Sequence, residues 1–262
     1  VDFLVLCTQS PDFYLPTTAA IVHERLGMRR DSGAADFNLG CSGFVYGLGL
    51  VKGLIESGQA DKVILVTADT YSKFLNPKDR GVRTIFGDGA TATLVTASSV
   101  TPSIENFVFG SDGSGAGNLI VPNGGLRSGF EFSPGSSPEV RKLESTGYDL
   151  FMDGPAIFGF TLEVVPSTVE KILQKSGLEI GDIDLFVFHQ ANKFMLEHLR
   201  SKLGIPEDKF YISLETTGNT VSSTIPIALR EAEKEGVLLA GMKVMILGFG
   251  VGLSWAGATL TW

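Results

Sequence analysis

Cysteine and histidine are both scarce in this chain. Its two cysteines, Cys7 and Cys41, cannot build a disulfide framework, and no CxxC or HxxxH spacing offers a metal site. The expected setting is therefore reducing and cytoplasmic. Long apolar runs are missing too. Val63–Val66 and Val244–Leu247 are strand-length and fall far short of the ~20 residues a spanning helix needs, so no membrane is expected as a partner. No positively charged leader with an apolar core opens the chain, and its first residue is Val1 rather than Met, which reads as a trimmed or processed product. Excess positive charge is also absent: 21 Lys plus Arg stand against 29 Asp plus Glu, a net −8. That balance argues against nucleic acid, whose non-specific binding depends on phosphate neutralisation.

Apolar material is plentiful. With 262 residues, 44% hydrophobic and 19% charged, the chain is long and apolar enough for a large core, and disorder is excluded. Strands are expected over Asp2–Thr8, Ala35–Leu39, Lys62–Ala68 and Ala90–Ala97, with helices over Pro16–Leu26 and Cys41–Ser57. The apolar positions of Cys41–Ser57 surround its axis, which predicts an all-round buried helix. The same order returns later: strand Asp184–Phe188, helix Lys193–Leu203 stopped by Gly204, strand Phe210–Ser213, helix Val221–Glu235, then strands Lys243–Leu247 and Ser254–Trp262. Asp2-Phe-Leu-Val-Leu matches Asp184-Leu-Phe-Val-Phe, and Lys62-Val-Ile-Leu-Val matches Lys243-Val-Met-Ile-Leu. A duplicated α/β unit with buried central strands follows, divided into halves 1–103 and 104–262. Strand Ile104–Phe109 and helix Gly159–Ser176 precede the second series without a counterpart in the first. A strand–helix unit ahead of Val1 is therefore expected to be missing. The Gly-, Ser- and Pro-rich stretch 110–147, including Ser133-Pro-Gly-Ser-Ser-Pro138, reads as a flexible linker or as a lid or interface loop.

Three polar residues stand at the ends of apolar strands. Cys41 follows Gly40 and opens a helix, where unpaired N–H groups and the helix dipole would favour a thiolate and lower its pKa. Small neighbours, Gly40 and Ser42-Gly43, would let a carbonyl approach it. The alternative is a buried cysteine packed as a small hydrophobe, which is the reading for Cys7. His189 ends strand Leu185–Phe188, at the carboxyl edge where open α/β sheets place their sites. It is a catalyst or a satisfied core residue, whereas His23 and His198 read as solvated. Asn219 lies ahead of a helix, either as a cap or turn residue or as the repeat's counterpart of Cys41. The repeat would aim all three into one cleft. Gly248-Phe-Gly-Val-Gly252 could turn backbone N–H groups toward a ligand, as an oxyanion hole requires, or form an ordinary tight turn.

Four segments together carry a resemblance: Asn38-Leu-Gly-Cys41-Ser-Gly-Phe-Val-Tyr-Gly-Leu48, His189-Gln-Ala-Asn192, Gly218-Asn-Thr220 and Phe249-Gly-Val-Gly-Leu-Ser-Trp255. In this order they resemble the β-ketoacyl-acyl carrier protein synthase III family of the thiolase-like superfamily. The resemblance implies a duplicated αβαβα layered fold whose family pattern has roughly seventy more residues ahead of Val1. It implies acyl transfer from acyl-CoA to Cys41, then decarboxylative condensation with a malonyl group on acyl carrier protein, as in fatty acid biosynthesis. His189 and Asn219 would hold the enolate oxygen, and N–H groups of Cys41 and of Gly250, Val251 and Gly252 the second oxyanion. No permanent cofactor is implied; the coenzyme A thioester is substrate. Arg80, from Asp79-Arg80-Gly81, would grip coenzyme A, and Asn192 would meet the pantetheine arm. Phe194 stands where family members often carry Arg. Lys193, Arg200 and Lys202 would dock the acidic carrier protein. Val251 replaces a glycine of the family's Phe-Gly-Gly-Gly element. A homodimer is also implied, with Phe13-Tyr-Leu15 reaching the partner's acyl pocket. Two other readings are an acyltransferase that makes no C–C bond, against which Asn219 argues, and a non-catalytic partner subunit.

Overall fold

In a computed structural model, which describes residues 1–98, 103–126 and 147–262, the apolar run Phe3–Cys7 forms strand β1. Its last four residues are all buried, as a run without alternation requires of a strand covered on both faces. β1 pairs in parallel with β2 (Gly33–Phe37) on one side and β3 (Lys62–Asp69) on the other. β3 pairs antiparallel with β4 (Gly89–Thr96), completing a sheet of order β2-β1-β3-β4. Helices α1 (Thr18–Arg25), α2 (Gly43–Glu56) and α3 (Arg80–Arg83) connect these strands in turn.

β5 (Ile104–Ser111) opens the second half. The two-residue strands β6 (Leu119–Ile120) and β7 (Phe151–Met152) pair with each other, and α4 (Gly154–Ser176) follows. Then come β8 (Leu185–Phe188), α5 (Lys193–Leu203), α6 (Thr224–Lys234), β9 (Lys243–Gly250) and β10 (Ser254–Thr261). The second sheet has order β5-β10-β9-β8. β8 pairs in parallel with β9 and β9 antiparallel with β10, the senses seen for β1, β3 and β4. The duplication read from the chain is thus present in the strand pairing. α2 and α6 pack between the sheets, α1 on β1 and β2, and α4 and α5 on the far side of the second sheet. The result is five layers, αβαβα. Among the described residues β4 has no partner opposite β3, where its counterpart β10 has β5. An apolar groove of about 600 Å³ runs beside that edge, lined by Phe44, Leu48, Leu94, Leu229 and Leu260.

Several expected elements come out differently. Phe210–Ser213 is not a strand: only a single parallel bridge joins Phe210 to Phe186. The buried Gln190 side chain takes the remaining ladder positions, accepting from Ser213 N–H at 2.7 Å and donating to the Tyr211 carbonyl at 3.3 Å. Pro16 lies outside α1, joined to Leu15 by a cis peptide, and the helix starts at Thr18. There the Asp36 carboxylate accepts the Thr18 and Ala19 N–H groups. α2 is not buried all round, since Leu50 is 51% exposed. α4 begins five residues earlier than Gly159, because Asp153 caps it through Ala156 N–H at 3.0 Å and Pro155 suits its first turn. The helix expected from Val221 starts with a 3₁₀ turn, Val221–Ser223, before α6. Within the stretch 110–147, Gly113–Asn118 packs against residues 251–253, and Asp112 N–H donates to the Leu253 carbonyl at 2.7 Å. That part is no free linker. Ser133–Pro138 lies outside the described residues.

Candidate active site

Cys41 sits two residues ahead of α2, in a turn closed by Gly43 N–H donating to the Gly40 carbonyl at 2.7 Å. The end of β9 lies directly against it. A Cβ on Gly248 would fall 2.6 Å from the Cys41 carbonyl oxygen, and one on Gly250 would fall 2.7 Å from the Cys41 sulfur. Only glycine permits that approach. Across the same seam Ser42 Oγ and Ser254 Oγ are 2.7 Å apart. Burial pushes the Cys41 thiol up to about 12, although the Val251 and Cys41 N–H groups pull it down. The resting group is therefore a thiol. This corrects the expectation of a thiolate favoured by the helix start, because desolvation of the charged form outweighs the N–H groups and dipole. Cys7, buried in β1, donates its S–H to the Leu39 carbonyl at 3.0 Å and is pushed up as well, consistent with its inert reading.

His189 follows β8, where its N–H donates to the Leu247 carbonyl at 2.8 Å. Its ring is buried, with Nδ1 2.7 Å from Thr224 Oγ1 and the Phe249 ring edge-on at 5.6 Å. Burial lowers its pKa to about 3, so the imidazole is neutral in ordinary buffers. Asn219 comes from a turn gripped by the first half of the chain. Its N–H donates to the Ile85 carbonyl at 3.0 Å, and its carbonyl accepts from Gly87 N–H at 2.9 Å. Gly87 is required there, since a Cβ would run into the Thr217 carbonyl. Asn219 Nδ2 lies 3.4 Å from His189 Nε2. Nearby, the Asp69 carboxylate accepts from Gln9 N–H at 2.8 Å and from the Ser222 hydroxyl at 2.5 Å, tying the 219–223 turn to β3.

Cys41, His189 and Asn219 line one cavity of about 450 Å³, joined by Asn192, Phe194 and Gly250. Its other walls are apolar, including Phe86, Met152 and Ile157. Asn192 caps α5, its Oδ1 accepting from Met195 N–H at 2.9 Å. Phe194 is 72% exposed and stacks on Phe158 at 5.7 Å. Val251 and Gly252 line a different cavity, of about 1400 Å³, beside Phe13 and Tyr14. Arg80 is exposed at the start of α3 and does not line the Cys41 cavity. The three basic residues of α5 have different partners. Lys193 pairs with Glu197 at 3.9 Å next to Phe194, whereas Arg200 donates to the Ile205 carbonyl at 3.2 Å and Lys202 to the Leu162 carbonyl at 2.8 Å. The sequence reading missed Phe86-Gly87, Thr224 and Asp69 as parts of this site. Gly87-Asp-Gly89 has the composition of an ordinary turn, and nothing local marks its contact with Asn219. Among the described residues, no group of three or more His, Cys, Asp or Glu could hold a metal ion, and no helix is long and apolar enough to cross a membrane.

The profile of 3-oxoacyl-[acyl-carrier-protein (ACP)] synthase III matches residues 35–113, and that family's C-terminal profile matches residues 173–262. The β-ketoacyl-[acyl-carrier-protein] synthase III of Clostridium tetani is 37% identical over all of this chain and 78% of its own length. The enzyme of that name from Clostridium perfringens is 38% identical over 99% of this chain and 77% of its own. Among solved structures, a 3-oxoacyl-(acyl-carrier-protein) synthase III superposes with a TM-score of 0.92 at 49% identity, covering 100% of this chain and 78% of that one. The synthase III of Thermus thermophilus gives 0.88 at 35%, covering 100% and 77%. Likeness of sequence and of backbone runs through the turns that bear the sulfur, imidazole and carboxamide, and on that ground the chain belongs to the β-ketoacyl-acyl-carrier-protein synthase III family.

Proposed function

We propose that this chain catalyses the decarboxylative Claisen condensation of an acyl-CoA with malonyl-acyl carrier protein, as a step of fatty acid synthesis. The observation that carries the reading is the convergence of Cys41, His189 and Asn219 on one apolar cavity. The Cys41 thiol loses its proton as its sulfur attacks the acyl-CoA carbonyl; coenzyme A leaves as a thiol, and the acyl group stays on Cys41. The malonyl thioester then replaces coenzyme A and loses CO2. Neutral donors on His189 and Asn219 hold the resulting enolate oxygen, which suits a site where a buried imidazole stays uncharged. The enolate carbon attacks the acyl-Cys41 carbonyl, whose oxyanion is held by the Cys41 and Val251 N–H groups. Cys41 leaves as a thiolate and is reprotonated, releasing 3-oxoacyl-carrier protein. In this reading residues 1–103 supply the nucleophile and 104–262 the decarboxylation donors.

Asn192 and Phe194, at the cavity wall, meet the pantetheine arm, with Lys193 beside them for the acidic carrier. Arg80 reaches coenzyme A from outside the cavity. No resident cofactor is needed, because the thioester supplies the activation. The two free, buried cysteines suit a cytoplasmic setting. Incubation with a short acyl-CoA should yield one acyl adduct, mapped to Cys41 by peptide mass spectrometry and discharged by malonyl-acyl carrier protein. An intact protein that stays unmodified, or that carries the acyl group elsewhere, would count decisively against the mechanism.

A homodimer completes the reading. Phe13, Tyr14 and Leu15 are 60%, 68% and 86% exposed, an apolar segment of a kind that marks protein–protein contact. Sedimentation should find a dimer, and Phe13→Asp should shift it toward monomer. Monomer alone in the unaltered protein would refute this part.

A further inference from the structure

The orientation of the Asn219 amide is determined by its surroundings. Val221 N–H donates to Asn219 Oδ1 at 2.9 Å, so Nδ2 must face His189 Nε2, 3.4 Å away. On the other side of the ring, Nδ1 is 2.7 Å from Thr224 Oγ1. The buried Thr224 hydroxyl has one proton and two acceptors in reach, His189 Nδ1 at 2.7 Å and the Val221 carbonyl at 3.2 Å. Where that proton goes decides the tautomer of His189. Given to Val221, it leaves the ring proton on Nδ1, and the Nε2 lone pair is spent on Asn219. Given to Nδ1, it leaves the ring proton on Nε2, and two N–H donors 3.4 Å apart face the cavity side by side.

Two distances discriminate between these arrangements. The contact to Nδ1 is a hydrogen bond in either arrangement, whereas the Val221 carbonyl, at 3.2 Å, lies beyond the usual range for a hydroxyl donor. The Asn219–His189 separation of 3.4 Å is at the outer limit of a hydrogen bond, yet is a natural spacing for two donors sharing an acceptor. Val221 also has φ +57°, a left-handed conformation that is rare for a β-branched residue and that points to a constraint on this turn.

We infer that Thr224 donates its hydroxyl to His189 Nδ1 and so holds the Nε2–H tautomer, with Nε2–H and Asn219 Nδ2–H directed at one thioester carbonyl oxygen. Thr224 is then a positioning residue, acting through His189. The identity of the oxygen rests on the condensing function proposed above; the tautomer does not.

The chain has only three histidines, so protein made with 15N-histidine gives a readable nitrogen spectrum, and His189→Gln identifies the signals of interest. His189 should be protonated at Nε2 and bare at Nδ1 in the unaltered protein and in Thr224→Ser, whereas Thr224→Val should lose that preference. Thr224→Val should also lower condensation about 100-fold, the scale of losing one oxyanion donor, while acylation of Cys41 persists and Thr224→Ser restores turnover. A resting His189 protonated at Nδ1 overturns the inference, as does a Thr224→Val protein with unchanged spectrum and condensation. Should Thr224→Val fail to fold, the spectra of the unaltered and Thr224→Ser proteins still decide. An Nε2–H spectrum in a protein that forms no C–C bond would instead sink the condensing reading and leave the tautomer standing.

Discussion

Gly250→Ala is expected to slow acylation of Cys41 about 100-fold or more, the scale of loss when a reacting atom is displaced by about 1 Å. The added methyl would stand 2.7 Å from the Cys41 sulfur and 2.9 Å from its Cβ. Neither can yield easily, because Cys41 is short and its turn is pinned between α2 and β9. The methyl therefore displaces the nucleophile or pushes β9 and the Val251 N–H away from it. Overpacking of this kind costs roughly 1–3 kcal/mol, so a folded but catalytically crippled protein is anticipated. Single-turnover labelling with acyl-CoA, read by mass spectrometry beside a urea titration, separates the two effects. Gly53→Ala is the control: it lies in α2, the helix that follows Cys41, with nothing within 4 Å of the added Cβ. It should keep full activity and gain about 0.5–1 kcal/mol from helix propensity. Normal labelling of Gly250→Ala would mean that β9 does not constrain the sulfur.

On acidification, two buried groups should pull stability in opposite directions. The His189 pKa falls from an ordinary 6.5 to about 3 in the folded protein, so unfolded chains bind the proton first. Its contribution is complete above pH 6.5 and is lost as pH falls toward 3, by up to about 5 kcal/mol. Asp69 behaves in the reverse sense. Burial raises it from 3.8 to about 6, so the folded protein binds that proton first. Its ionised form costs stability above pH 6, and as pH falls from 6 to 3.8 up to about 3 kcal/mol returns. Near pH 5 the two largely offset each other; below pH 4 the histidine dominates. Denaturant titrations from pH 7 to pH 4 should show His189→Gln losing less stability than the unaltered protein and Asp69→Asn losing more. Parallel curves for all three would show that neither group titrates abnormally. The same shift leaves His189 neutral wherever the enzyme is folded, so the condensation rate should show no limb near pH 6.5 from this residue.

How much of the site could be read in advance depended on the range of the interaction involved. α5 has its expected bounds residue for residue, because its stop at Gly204, with φ +66°, is a local signal. Cys41, His189 and Asn219 were legible because a repeat maps one strand end onto another, so distant residues could be assigned to one cleft. The strand at Phe210 was misread for the opposite reason: a side chain from Gln190, twenty residues earlier, takes the hydrogen bonds that a neighbouring strand would have made. Leu50 was misplaced because periodicity cannot say which face of an apolar helix meets a neighbour. The contacts of Arg200 and Lys202 with the Ile205 and Leu162 carbonyls could not be read from the helix pattern, because those carbonyls lie outside α5.

By itself the chain determined most of the strands and helices, their duplication, and the three side chains proposed to carry the chemistry, because spacing, caps and glycine stops act over a few residues. Tertiary structure alone decided the protonation of those side chains and what holds them. Cys41 is a thiol and His189 a neutral imidazole because burial removes the water that would stabilise their charged forms. Asn219 is aimed by Gly87, and the ring of His189 lies against Thr224, through contacts between residues far apart in the chain. Desolvation and hydrogen-bond partners depend on what packs nearby, and no local pattern of residues encodes that.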